Sequence, residues 1–505
     1  MERKWWTLVA VCVAIFMLLL DITIVNVALP DIQRSLHASF SDLQWVVDAY
    51  ALTLATFVLT SGSLADRFGR KRLFLGGVVL FTVASASCGA AYDPLSLIVS
   101  RAVQGIGGAT MFATSLALLS QEFHGRERGT AFGIWGATTG AAVAIGPLLG
   151  GILTSGLSWR WIFLVNIPIG AAALVMSVSQ LHESSDPEHS RIDPVGLATL
   201  TAGLFCLVLA LIEGNSHGWT SGLIVGLFVA AAVLIVAFVA SQAVEETSMV
   251  DLQLFRKPAF VGAQTTAFAI SVSLFSMFLY LTLYLQNILG YSPLQAGLRF
   301  LPISMLSFVA APIAGKLSAH APVRFLLGGG LALCAIAMWL MSGLTASSGW
   351  TGLLAGFIVG GVGIGMTNAP LASTAVSTVR QERAGMASGI NSTFRQVGIA
   401  TGIATLGAIF QSRVTSHVVS ALHGAPNAHR IADQLASGHQ AQALGAASPQ
   451  ARAHLAEVAR ASFVSGLNDI LIVAAIIAAV GAVLATVLVR RRDFVASGQA
   501  AAAAH

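Results

Sequence analysis

Long apolar runs alternate with short charged turns along nearly the whole chain. A helix needs about 20 mostly apolar residues to cross a bilayer. Fourteen segments have that character: 6–28, 44–64, 73–91, 95–119, 130–154, 162–181, 195–213, 221–241, 259–286, 296–314, 325–343, 351–375, 385–411 and 463–489. Their apolar positions do not alternate with period two, so they read as helices rather than as strands of a membrane barrel. The pattern predicts an all-α integral membrane protein with fourteen spans. One long polar interval, 412–462, is Ala-rich and holds five histidines, His417, His423, His429, His439 and His454, at spacings that fit no metal site. It is expected to be a partly helical, solvated excursion on the outer side.

The basic residues orient the spans. One set of turns holds 18 of the 27 Lys and Arg, among them Arg67, Arg70, Lys71, Arg72, Arg126 and Arg128. The other set holds 6, four of them in 412–462, and Arg101, Arg299 and Arg395 fall inside spans. The positive-inside rule then places the first set, with both termini, in the cytoplasm of a cell (inner) membrane.

Landmarks recur in matching turns. Gly62-Ser63-Leu64 with Gly76-Gly77 is echoed by Gly315-Lys316-Leu317 with Gly329-Gly330, Glu127-Arg128 by Glu382-Arg383, and Gly105-Ile106-Gly107 by Gly361-Val362-Gly363. The offsets are nearly constant, so two six-helix halves are expected, 1–181 and 259–489. Two inserted helices lie between them over 195–241, and a tail follows at 490–505. Parallel six-helix repeats around a central site are a transporter architecture.

Composition agrees. Of the 505 residues, 56% are hydrophobic and only 10% charged, with 50 glycines and a mean hydropathy of +0.79. A soluble domain is about 25% charged, so a large soluble enzyme is excluded. The net charge of +5 is no sign of nucleic-acid binding, because the bases lie in turns between apolar runs. Cys12, Cys88, Cys206 and Cys334 are far apart, and no C-x-x-C occurs, so neither a disulfide framework nor a zinc site is indicated. No G-x-x-x-x-G-K-[ST] sequence is present, so ATP is not expected to drive the protein directly.

The turn Gly62-Ser63-Leu64-Ala65-Asp66-Arg67-Phe68-Gly69-Arg70-Lys71 is richer than a topology signal requires. It closely resembles the signature loop of the major facilitator superfamily. Leu20-Asp21-Ile22-Thr23-Ile24-Val25-Asn26-Val27-Ala28-Leu29-Pro30 is similar to the acidic motif of the 14-span drug/proton antiporters of the EmrB/QacA type. Arg101-Ala102-Val103-Gln104-Gly105 resembles the arginine motif, and Gly146-Pro147-Leu148-Leu149-Gly150-Gly151 the antiporter motif associated with exporters. Trp159-Arg160-Trp161-Ile162-Phe163-Leu164-Val165-Asn166-Ile167-Pro168 is also typical of 14-span members. The resemblance covers roughly residues 1–490. It implies a major facilitator fold, export coupled to protons through the first-span acid, a cytoplasmic gate at Gly62, Asp66, Arg67, Gly69 and Arg70, and Asn26 in the substrate cavity.

The residues themselves point the same way. Asp21 lies about 10 Å inside span 1 at 1.5 Å per residue. A charged residue there costs about 2.5–3.5 kcal/mol on insertion scales and marks a partner, a cavity or a proton path. Arg101 lies at similar depth in span 4 and shares a helix face with Gln104, Gly105 and Gly108. Asp48, a turn inside span 2, is the third candidate for proton coupling, and facing outer water is its competing reading. Gln104, Tyr280, Tyr284, Asn391 and Arg395 are candidate cavity residues, Met277, Tyr280, Tyr284 and Asn287 forming one aromatic face of span 9 and Ser388, Asn391 and Arg395 one polar face of span 13. Helix packing competes as the reading of the aromatic face. The second half has no deep acid, so dications are disfavoured as cargo relative to neutral, anionic or monocationic amphiphiles.

The expected function is proton-coupled efflux of amphipathic small molecules by alternating access, without a cofactor and without catalysis, in a chain expected to be monomeric. A periplasmic adaptor is a partner only where the cell has an outer membrane. Proton-coupled uptake of a metabolite and a non-transporting sensor or scaffold are the competing readings; the Gly-Pro stretch of span 5 disfavours the first and the intact charged set the second.

Overall fold

The computed structural model describes residues 2–38, 40–185, 193–244, 249–318, 320–380, 383–422 and 449–490. In chain order its helices are α1 (Arg3–Leu36), α2 (Phe40–Phe68), α3 (Arg70–Gly89), α4 (Pro94–Glu122), α5 (Gly125–Gly156), α6 (Trp161–Leu164), α7 (Asn166–Gln180), α8 (Pro194–His217) and α9 (Gly222–Val244). They continue with α10 (Pro258–Ile270), α11 (Ser276–Leu283), α12 (Pro293–Arg299), α13 (Leu301–Leu317), α14 (Val323–Met341), α15 (Leu354–Ser377), α16 (Ala384–Ala421) and α17 (Pro449–Leu488). No strand occurs among the described residues.

Among the described residues, twelve helical stretches are long and apolar enough to cross a membrane, so this is a multi-pass membrane protein. The sequence reading counted fourteen spans. Gly125–Gly156 and the pair Pro293–Arg299 and Leu301–Leu317 are helical over the other two but are not among the twelve.

Local sequence sets where helices begin. Asp93 precedes Pro94 and accepts from Ser96 N at 2.6 Å, Asp193 precedes Pro194 and accepts from Gly196 N at 2.6 Å, and Ser292 precedes Pro293 and accepts from Gln295 N at 3.3 Å. A capping oxygen followed by Pro satisfies orphan amides and presets φ for the first turn. α3 starts differently. Gly69 has φ +105°, and the Glu183 carboxylate accepts from Lys71 N at 3.1 Å and Arg72 N at 3.2 Å. α1 overruns the expected span by eight residues, running through Pro30 to a left-handed cap at His37.

Within the first group α1 packs on α5 and α7, and α4 on α2 and α3. Within the second group α15 packs on α13 and α14, and α17 on α14, α16 and α10. The two groups meet chiefly through α2 against α16 and α5 against α13. The helices α8 and α9 pair with each other, and α8 also touches α2 and α16. α9 leaves Val225, Val229, Val233 and Val236 exposed, as a lipid-facing helix would. Of 412–462, residues 423–448 lie outside the described residues, as does the tail beyond Arg490. Of its five histidines only His417 has a described side chain, 2.9 Å from Ser465 Oγ.

Candidate functional site

Asp21 is fully buried near the middle of α1. Arg101 Nη1 of α4 donates to Asp21 Oδ2 at 2.5 Å. Gln104 Nε2, one turn along α4, donates to Oδ1 at 2.9 Å, and Asn166 Nδ2 of α7 donates to the same oxygen at 3.0 Å. Three helices therefore converge on one carboxylate. Arg101 is itself held on several sides. Its Nε donates to Val46 O of α2 at 3.0 Å, its Nη1 also reaches Gln104 Oε1 at 2.9 Å, and its guanidinium lies 4.2 Å from the centre of the Tyr50 ring. Asn166 also bonds Ser85 Oγ at 3.0 Å, and Ser85 in turn bonds Phe163 O at 2.9 Å.

The sequence placed Asp21 and Arg101 at one depth, and the structure joins them. It does not bring Asp48 to that site. Asp48 is half-buried on α2 within electrostatic range of Glu213 on α8, which is bonded to Ser216 Oγ at 2.8 Å and lies 2.9 Å from His217 Nδ1. Glu213 escaped the sequence reading, although it is an acid at the rim of an apolar span. Asn166 was noted only inside a motif; its signal was a buried-type amide in an otherwise apolar span.

The cavity expectations fare unevenly. Gln104 is fully buried in the Asp21 network. Tyr280 and Tyr284 are also buried in packing. Tyr280 Oη donates to Ile403 O at 2.9 Å and Tyr284 Oη to Ser348 O at 3.0 Å, with their rings against Phe410 and Phe463. Met277, Tyr280 and Tyr284 do share one buried face, but a wide π turn, Tyr284–Ile288, follows it, and Asn287 is exposed rather than continuing that face. Asn391 bonds Gln264 Oε1 at 3.1 Å, and Arg395 bonds Asn368 Oδ1 at 3.3 Å. The side chains of Asn26 and Pro147 lie outside the described residues.

The expected gate residues do assemble. Asp66 closes the end of α2 onto the first turn of α16, accepting from Gly385 N at 2.9 Å and Met386 N at 2.6 Å. Arg70 Nε donates to Asp66 Oδ1 at 2.9 Å. A carboxylate at a helix N-terminus meets free amides and the positive end of the helix dipole. A Cβ on Gly62 would lie 3.2 Å from both Gly385 C and Gly389 Cα, so α2 and α16 cross almost backbone to backbone. Gly315, the repeat counterpart of Gly62, crosses Gly129 of α5 in the same way, where a Cβ on either would sit 2.9 Å from the other's carbonyl carbon. Gly69 supplies the turn, and Arg67 Nη2 has no bonded partner among the described residues.

Gly146 and Gly150 lay α5 against α1 beside Asp21. A Cβ on Gly146 would be 2.8 Å from Thr23 Cβ, and one on Gly150 3.0 Å from Ile24 O. Gly151 faces Leu294 of α12 at 3.7 Å. The export-type motif thus seats the acid-bearing helix. No group of His, Cys, Asp or Glu suited to a metal occurs among the described residues.

Comparison with known proteins gives concordant matches. The model of the Major Facilitator Superfamily matches residues 11–403. The chain is 34% identical over 495 residues to the tetracenomycin C resistance and export protein of Streptomyces glaucescens, covering 96% of this chain and 91% of that one. It is 35% identical to the multidrug resistance protein Stp of Mycobacterium tuberculosis, covering 93% and 89%. It is also 35% identical to the puromycin resistance protein pur8 of Streptomyces alboniger, covering 84% of each. Among solved structures, the human organic anion transporter MFSD10 superposes with a TM-score of 0.60 at 12% identity, over 95% of this chain and 100% of that one. That likeness speaks to the fold.

Proposed function

The chain belongs to the major facilitator superfamily, and from that premise we propose that it is a proton-driven exporter of amphipathic drugs or antibiotics that works by alternating access. It is a transporter rather than an enzyme. Relatives that share a third of its residues over nearly its full length carry the names of resistance and export proteins. The observation that carries the reading is the buried Asp21–Arg101 pair. Its carboxylate is the one acid fully buried among the described residues, and a proton gradient needs such a group in the membrane to act on.

In this reading the basic end of the bundle faces the cytoplasm, with both termini, and the membrane is the cell (inner) membrane. Residues 1–181 and 259–489 are the rocking halves, and 195–241 is the inserted pair. The glycine crossings and Asp66 hold the cytoplasmic end shut. Protonation of Asp21 weakens its ion pair with Arg101 and loosens α1 from α4 and α7, which links proton binding to movement of the first half. The proton gradient replaces a cofactor, the chain works as a monomer, and an adaptor is needed only in cells with an outer membrane.

Growth inhibition tests this directly. A drug-sensitive bacterium expressing the chain should tolerate more of at least one amphipathic antibiotic in a panel that includes puromycin, and a protonophore should restore intracellular accumulation of that drug. Sensitisation would point to uptake instead. An unchanged panel, with the protein present in the membrane, would contradict transport of such compounds.

A further inference from the structure

The two halves treat their deep arginines differently. Arg101 has Asp21. Arg395 has no carboxylate at all: residues 252–381 contain neither Asp nor Glu, and neither does α16. The acids of α17 are Glu457 and Asp469, and Asp469 is paired with Arg413 at 3.2 Å. Arg395 lies about 16 Å along α16 at 1.5 Å per residue, which is mid-membrane. It is 8% exposed, so it is buried but retains a narrow opening. Its single bonded partner among the described residues is the neutral Asn368 Oδ1, and Phe275 covers its face at 5.7 Å.

Three observations meet there. A guanidinium stays charged at neutral pH, and a buried charge without a counter-charge is costly. Close by is an amide donor with no partner. One turn back on α16, Asn391 Nδ2 uses Gln264 Oε1 and leaves Gln264 Nε2 unpaired, although Gln264 is 2% exposed. The hydroxyl of Ser388 on this face of α16 and that of Ser271, which packs against Gly398 from the π turn, are also unpaired and free to donate. Finally, Phe275 ends a π turn, a rare helical distortion that recurs at functional sites.

We propose that Arg395 and the free amide of Gln264 form an anion subsite in the second half, which takes the carboxylate or acidic phenol of an amphipathic substrate while Phe275 packs on its apolar body. This rests on the exporter reading and narrows it to acidic amphiphiles. Asn368 steers the guanidinium and leaves the rest of its donor fork for the ligand. Arg101 is unsuited to this task, because Asp21 already neutralises it.

Equilibrium binding to the purified chain tests the subsite without any proton gradient. The probes are dansyl-phenylalanine, which carries one carboxylate, and its uncharged methyl ester. The parent should bind the acid more tightly than the ester. Arg395→Ala should weaken the acid by about tenfold or more, as expected for losing a charge-assisted hydrogen bond, and leave the ester unchanged. Arg395→Lys should restore part of the loss. Gln264→Leu, which keeps the charge and removes only an amide, should also weaken the acid alone. Equal losses for acid and ester, or tighter binding of the ester by the parent, would overturn the subsite. A chain that binds the acid selectively yet moves no protons would keep the subsite and lose the exporter reading.

Discussion

At Arg101 a single side chain ties three helices together, through Asp21 on α1, Gln104 on its own helix and Val46 O on α2. Lysine carries the same charge but not the planar fork. Arg101→Lys should therefore lower the melting temperature in detergent, because one ammonium cannot hold Asp21, Gln104 and Val46 O together. A variant as stable as the parent would show that charge alone suffices. Asp21 and Arg101 were legible in the sequence because charges inside apolar runs are conspicuous and their depths can be counted. Asn166 was not, because nothing local says that a residue 145 positions away will donate to Asp21. Tyr280 and Tyr284 left two readings open for a physical reason. A phenol suits both a cavity wall and a packed core, and only the neighbouring carbonyls of Ile403 and Ser348 decide.

Between elements, the internal repeat acquires a mechanical meaning. Gly62 and Gly315 were matched by spacing alone, and each crosses a helix of the other half, at Gly385 and Gly129. Among the described residues, the first crossing carries a carboxylate latch, at Asp66, and none is seen at the second. Asp66→Ala should lower turnover and leave substrate affinity nearly intact, since the latch is remote from Asp21 and Arg395; a wild-type transport rate would reduce the loop to a topology signal. Valine at Gly129 or at Gly385 should wedge the same end open. Spin labels at the exposed Phe68 and Leu317, in a background lacking Cys12, Cys88, Cys206 and Cys334, should report longer distances for either valine variant. Unchanged distances would mean that the crossings are not what holds this end closed. The sequence could not foretell the π turns, which depend on tertiary packing, or the overrun of α1 past Pro30, where the helix keeps its course despite a missing amide.

Across the whole molecule, hydropathy and repeat spacing were enough to anticipate a helical membrane transporter, because the bilayer permits few other ways to satisfy the backbone. The contacts between halves were beyond reach, as was the contrast between a neutralised arginine in one half and an uncompensated one in the other. On the proposed reading that contrast divides the labour, with protons handled at Asp21 and cargo charge at Arg395. The central claim is that export is driven through Asp21. Asp21→Asn preserves shape and removes the titratable group. In everted vesicles holding an imposed pH gradient, an amphipathic antibiotic that the growth panel identifies as exported should dissipate the gradient for the parent and leave it intact for Asp21→Asn. Equal dissipation by the two, or none by the parent, would contradict the claim.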